Sequence, residues 1–237
     1  VPGKKLDMNS PDIRNHDFIL MNTKGFVSGN VKRFGQILKV LTTPITILNI
    51  FPKAGTLISN FPILKRAGKA KIRMSHPAEI PYFSTVPFRF GDESKAVKYA
   101  VFPSKNNQLV ITGSKSKDLI KENLVATLSK HELYFDFCVQ FQSHPVKMPI
   151  EDPTVIWDSE FEKVASIRIP VQFFDTPEQN EFGDNLAFNS WHCLPEHRPI
   201  GNFNRVRKMI YEGMYSFRHE HNDVIDTEPV PEANFFE

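Results

Sequence analysis

The sequence predicts an α+β protein built on an antiparallel sheet or barrel. Three observations predict it. Leu133, Phe135, Phe137, Val139 and Phe141 alternate with Tyr134, Asp136, Cys138, Gln140 and Gln142, a period of two that gives one strongly apolar strand face. A second alternating run covers Val164–Phe173. Segments with helical spacing lie before, between and after these strands, a pattern of segregated rather than strictly alternating elements.

In chain order, residues 1–16 are polar and turn-rich, and Asp17–Asn22 begins a short apolar stretch. Val31, Phe34, Ile37, Leu38 and Leu41 recur at helical spacing. Thr42-Thr43-Pro44 stops that helix, because proline removes a donor and clashes with the preceding turn. Residues 45–51 read as a second short helix, and 60–80 as a basic connector in which Lys65, Arg66, Lys69, Lys71 and Arg73 form a solvated loop. Tyr82–Phe90 is extended and aromatic, and Val97–Phe102 is a strand ending at Pro103. Asp118–Leu128 is a helix with Leu119, Leu124 and Leu128 as its stripe. Pro170 places the second alternating strand at an edge or a strand end. Residues 177–189 and 203–218 read as helices, joined by a Pro-rich connector.

Composition sets the outer limits. The chain has 237 residues, which suits one large domain or two small ones, and 41% are hydrophobic. Phe is abundant, at 21 residues, and fills core volume. A net charge of +2 gives no electrostatic footprint for nucleic acid. No apolar run reaches membrane-spanning length. Two cysteines make no disulfide framework, so a reducing, cytoplasmic compartment is the default and Cys138 reads as a buried small hydrophobe. No signal peptide is visible, and the chain begins Val1-Pro2-Gly3, so sequence upstream of Val1 is expected.

The chemistry concentrates on the last helix. Arg207, Tyr211 and Arg218 stand at i, i+4 and i+11, within about 40° of one another on a helix. A phenol beside guanidinium groups is expected to ionise more readily, since arginine stays charged and favours the phenolate. A phenolate is a hard anionic ligand, and Tyr is one of the residues that ligates haem iron. On spacing alone, a core tyrosine with two surface arginines is the better reading.

Longer blocks carry a resemblance. Phe188-Asn189-Ser190-Trp191-His192-Cys193-Leu194-Pro195-Glu196-His197-Arg198-Pro199-Ile200-Gly201, with Asn204-Arg205-Val206-Arg207 and Tyr211, resembles the C-terminal signature of the small catalase-related haem proteins. Met148–Asp158, Thr85–Gly91 with Ala96–Tyr99, and the opening Val1–Leu6 resemble further blocks of that family in the same order. The resemblance covers about residues 1–222 and implies a catalase-like β-barrel domain lacking its N-terminal part and strands, with surrounding helices and a C-terminal haem-ligand helix. It leaves 223–237 as an acidic extended tail.

The resemblance further implies haem b, with Tyr211 as axial iron ligand, Arg218 bonding the phenolate and Arg207 one turn before it. Asp17–Asn22 resembles the segment that carries the distal Asn, which makes Asn22 the distal candidate. The family's distal His is expected upstream of Val1, and none of the eight histidines matches its motif. The implied function is haem-dependent conversion of hydrogen peroxide or of an organic or lipid hydroperoxide. The implied state is a homo-oligomer or a chain completed by a missing N-terminal segment. The alternative is a catalytically incomplete fragment, or a haem-binding or interaction module, lacking the distal histidine.

The remaining candidates have plainer readings. His192, Cys193 and His197 fit no standard zinc spacing. His219 and His221 complement a helix C-terminus. Glu151 and Asp152 cap or brace a turn. Trp157 and Trp191 anchor packing, and no Gly-rich phosphate loop is present.

Overall fold

A computed structural model describes residues 16–44, 50–69, 72–113, 115–186 and 188–222. Residues 45–49 of the helix expected at 45–51, the family block at Val1–Leu6 and the acidic tail at 223–237 lie outside the described residues.

Three helices come first: α1 (Val31–Thr42), α2 (Ile50–Ser59) and α3 (Phe61–Lys69). Asn30 caps α1 by accepting from the Arg33 N–H at 3.1 Å, and Pro44 follows its end. The basic connector is therefore partly helical. Ile63, Leu64 and Ala67 form an inward stripe, and Pro62 sits in the first turn, where no helical N–H bond is lost.

The strands β1 (Tyr82–Phe83), β2 (Phe88–Phe90), β3 (Asp92–Pro103), β4 (Leu133–Phe141) and β5 (Phe161–Ile169) form one antiparallel sheet. Its order is β1-β3-β4-β5, with β2 also pairing β3. Helix α4 (Leu119–Leu128) precedes β4, and α5 (Pro177–Asn185) and α6 (Asn202–Asn222) close the order. A reciprocal capping box between Thr176 and Gln179 starts α5.

Register puts Phe88, Val97, Tyr99, Val139 and Phe137 on one face. That face packs against Val86, Leu20, Phe26, Val31 and Phe203, and farther along against Leu124, Leu128 and Phe174. The alternation read from β4 thus marks the core face, and Phe135, Phe137 and Phe141 serve there as core.

The opposite face carries Phe83, Ala96, Lys98, Ala100, Phe102, Cys138, Gln140 and Phe161. β1 and β5 stand three strand spacings apart, about 14 Å in a flat sheet. Yet the Phe83 and Phe161 rings lie 5.9 Å apart, and Phe102 touches both. The sheet therefore curls around this face, as a barrel wall does.

The curl does not close, which corrects the expected barrel. β5 is exposed along nearly all its length, and its outer edge has no partner among the described residues. Five strands are too few to surround a packed interior, which takes about eight. β5 stops before Pro170, in line with the edge position read from that proline.

Among the described residues, Lys98 is the one buried cation of the concave face, 4% exposed. Its ammonium donates to the Val155 carbonyl at 3.3 Å and lies 4.8 Å from the Trp157 ring centre. Burial pushes its pKa down to about 8, against an opposing pull from Asp152. The unfolded chain, with lysine near 10.5, binds more protons between pH 8 and 10.5, so this group adds stability as pH rises through that window. Cys138 and Tyr99, both raised first by burial, act with the opposite sign at alkaline pH. Urea denaturation of the protein and of Lys98→Met isolates the effect: the stability difference between them is expected to shift in favour of wild type from pH 7 to 10. A pH-independent difference would exclude it.

Candidate functional site

Helix α6 is seated by its first turn. Gly201 precedes it with φ +88, and a Cβ there would lie 3.1 Å from the Ile150 carbonyl oxygen, so both conformation and space favour glycine. Glu151 Oε2 accepts from the Asn202 N–H at 2.8 Å, and Asp152 Oδ1 braces Thr154, so the acidic pair caps and braces as its turn context suggested. Asn204 is fully buried, and its amide donates to the Pro87 and Ile200 carbonyls, each at 2.8 Å. The Asn204 main-chain carbonyl accepts from Trp191 Nε1 at 2.9 Å, and Phe203 enters the core.

One turn on, Arg207 Nη2 donates to Tyr211 Oη at 3.2 Å, and its guanidinium carbon sits 5.5 Å from the ring centre. Both residues are half-buried. Beside them runs an exposed apolar band, Ile210, Met214 and Phe217, at i, i+4 and i+7.

Arg218 shares this side of the helix but points elsewhere. Its Nη1 donates to the Asp184 carbonyl at 3.1 Å and its Nη2 to the Leu186 carbonyl at 2.9 Å, taking up orphan carbonyls at the end of α5. His219 lies 3.2 Å from the Asn185 carbonyl through Nε2, buried against Tyr215. The structure thus brings Arg207 and Tyr211 together, and uses Arg218 and His219 to tie the second half of α6 to α5. His221 stacks on Phe217.

Asn22 belongs to another element. Met21 and Phe83 exchange backbone hydrogen bonds of 2.7 and 2.6 Å, which extends the sheet at β1 and leaves the half-buried Asn22 at its end.

The segment before Asn22 is clamped to the loop before α6. The Asp17 N–H donates to the His192 carbonyl at 2.8 Å. Asp17 Oδ2 accepts from the Asn189 N–H at 3.0 Å and lies 3.1 Å from His192 Nδ1. Next to the clamp, Phe18 meets Tyr99 and Phe137 edge-on, and His197 packs between Phe90 and His16 with its Nδ1 3.4 Å from Tyr99 Oη. Sequence reading missed this cluster and the clamp. Asp17 and His192 stand 175 residues apart, and no local spacing links them.

These features define a catalase-like fold, as comparison with solved structures shows. A fungal catalase matches with a TM-score of 0.61 at 12% identity, over 88% of this chain and 46% of that one. A bacterial catalase gives 0.65 at 13%, over 87% and 44%. Catalase A from Saccharomyces cerevisiae gives 0.60 at 15%, over 86% and 46%. The chain therefore spans less than half the length of these catalases. No family model matches the sequence, and no curated protein matches it.

The residues fit haem in the following sense. Among the described residues no three His, Cys, Asp or Glu side chains converge to hold a bare ion. Haem iron needs just one or two protein ligands, and Tyr211 is an anionic-capable donor with a cation already at its oxygen. An exposed apolar band lies beside it, the kind of side chain that an apolar ring system contacts. No helix among the described residues is long and apolar enough to cross a membrane.

The clamp makes a stability prediction. Asp17→Ala leaves the Asn189 N–H without its acceptor and is expected to cost about 1–3 kcal/mol in urea denaturation. Asp17→Asn, which keeps an acceptor oxygen, is expected to recover part of that loss. Equal stability of all three proteins would show that the clamp is not formed in solution.

Proposed function

We propose that this chain is the proximal part of a catalase-related haem protein that converts hydrogen peroxide or an organic hydroperoxide, with Tyr211 as the protein's ligand to the iron. The observation that carries this reading is the Arg207–Tyr211 hydrogen bond on a firmly seated helix of a catalase-like fold. Haem held there would supply the redox chemistry that cleaves an O–O bond.

The protein's own contributions follow from chemistry. Arg207 donates to the phenol oxygen, which holds Tyr211 in one orientation. Glu151, Asn204 and Trp191 hold the helix so that Tyr211 keeps one position. Arg218 acts as a positioning residue: by binding the end of α5 it holds the helical turn that follows Tyr211. Asn22 is assigned the distal side, where its amide would donate to a peroxide oxygen. The acid–base group that moves the peroxide proton is assigned to sequence outside residues 16–222, in keeping with the share of the catalases that this chain spans.

The test is haemin titration of the protein followed by absorption spectroscopy. Wild type is expected to give a high-spin ferric spectrum with a Soret band, lost or strongly shifted in Tyr211→Phe. Arg207→Leu is expected to bind with a shifted band. If Tyr211→Phe binds haemin with an unchanged spectrum, the ligand assignment fails. If wild type gives no such spectrum, this chain does not form the site.

A further inference from the structure

Charge is distributed very unevenly along this chain. Between Asp17 and Glu79 there is no acidic residue at all, while Lys24, Lys32, Arg33, Lys39, Lys53, Lys65, Arg66, Lys69, Lys71 and Arg73 fall in that interval. The chain as a whole carries only +2, so the rest is net acidic by 8. This cationic segment is the part that folds as α1, α2 and α3.

The helices also expose large apolar side chains. Ile58 is 76% exposed and Phe61 62%, three residues apart across the α2–α3 junction. That junction is rigid: Asn60 is buried, its backbone and side-chain N–H groups both bond the Thr56 carbonyl, and its own carbonyl accepts from Ile63. Phe61 and Lys65 lie within about 40° on α3, with Arg66 on the same exposed side, while Ile63 and Leu64 face inward. Leu38 on α1 and Ile72 beyond α3 are exposed as well. Lys32, Arg33, Lys39, Lys65 and Arg66 are exposed, and none pairs with a carboxylate among the described residues.

We propose that α1–α3 form a peripheral docking face for an anionic lipid bilayer, with Ile58 and Phe61 entering the acyl boundary and Lys65, Arg66 and the α1 cations meeting the head groups. The charge selects an anionic partner. Exposed isoleucine beside phenylalanine selects a lipid surface over nucleic acid, because Ile58 has neither a polar group nor a π-face with which to read or stack on a base, whereas acyl chains accept both side chains. The helices lie on the surface and do not span it, in keeping with their short lengths. This inference does not depend on haem.

The experiment is co-sedimentation of the full chain with phosphatidylcholine vesicles, with and without about one third phosphatidylserine. Binding is expected to the anionic vesicles alone, and to weaken as salt is raised. Lys65→Gln with Arg66→Gln is expected to weaken it about 25-fold, near five-fold for each cation. Ile58→Ser with Phe61→Ser is expected to abolish stable binding while leaving the circular dichroism spectrum unchanged. Four results would overturn the proposal: no sedimentation with anionic vesicles, equal binding to pure phosphatidylcholine, or binding unaffected by the Ile58 and Phe61 changes, which would point to a polyanion patch. The fourth is a concentration-dependent dimer that the Ile58 and Phe61 changes convert to monomer, since the face would then belong to a second copy.

Discussion

The buried amide of Asn204 is the interaction on which the arrangement depends. It is buried, and its N–H groups are matched inside the protein while its side-chain oxygen finds no partner there, a cost that the joint carries. Its two N–H bonds go to the carbonyls of Pro87 and Ile200, which face each other next to the Phe88–Pro199 bridge. One side chain therefore fixes the start of α6 against the edge of the sheet. Trp191, bonded to the Asn204 main-chain carbonyl, adds the incoming loop to the same point. The first turns of α6 take their position from this joint, and the contacts of Arg218 and His219 with the end of α5 hold the later ones.

The two faces of the sheet use different physics. The core face is apolar and packs helices, which is the ordinary use of a period-two strand. The concave face is filled more sparingly. Ala100 and Cys138 are small enough at its centre to let Phe83, Phe102 and Phe161 converge from three strands. Lys98 and Gln140 interrupt it, each satisfied by carbonyls of the 155–159 loop. That loop thereby lines part of the concavity that more strands would otherwise fill. β5 beyond it remains an exposed edge, the kind of surface that proteins cover or pair.

Much of the fold was legible in the sequence because periodicity is a local property. The β4 alternation, the α1 stripe ending before Pro44 and the turn proline at Pro170 each act within a few residues. The barrel was not legible from residues: five strands curl without closing, and strand count depends on long-range pairing. The helix at 61–69 was missed because its charges were read as solvation, whereas Ile63, Leu64 and Ala67 already gave it an inward stripe. In the site, the i, i+4 spacing of Arg207 and Tyr211 correctly implied contact. The Asp17–His192 clamp could not be read, since neither residue carries a signal for a partner 175 positions away.

Arg218 shows why a shared helical side does not assign a shared role. A guanidinium that donates to two carbonyls makes two charge-assisted hydrogen bonds, each worth about 1.5–3 kcal/mol when sheltered from water. At the end of α5 those carbonyls have no partner within their own helix and carry the negative end of its dipole, so a cation is favoured there. The phenol of Tyr211 already has a donor in Arg207, and a second guanidinium beside the first would add like-charge repulsion. The two arginines therefore divide between them: the nearer one donates to the phenol oxygen of Tyr211, and the farther one ties the turn beyond Tyr211 to the end of α5. Binding two carbonyls at once uses the donor fork that lysine lacks, which accounts for arginine at Arg218.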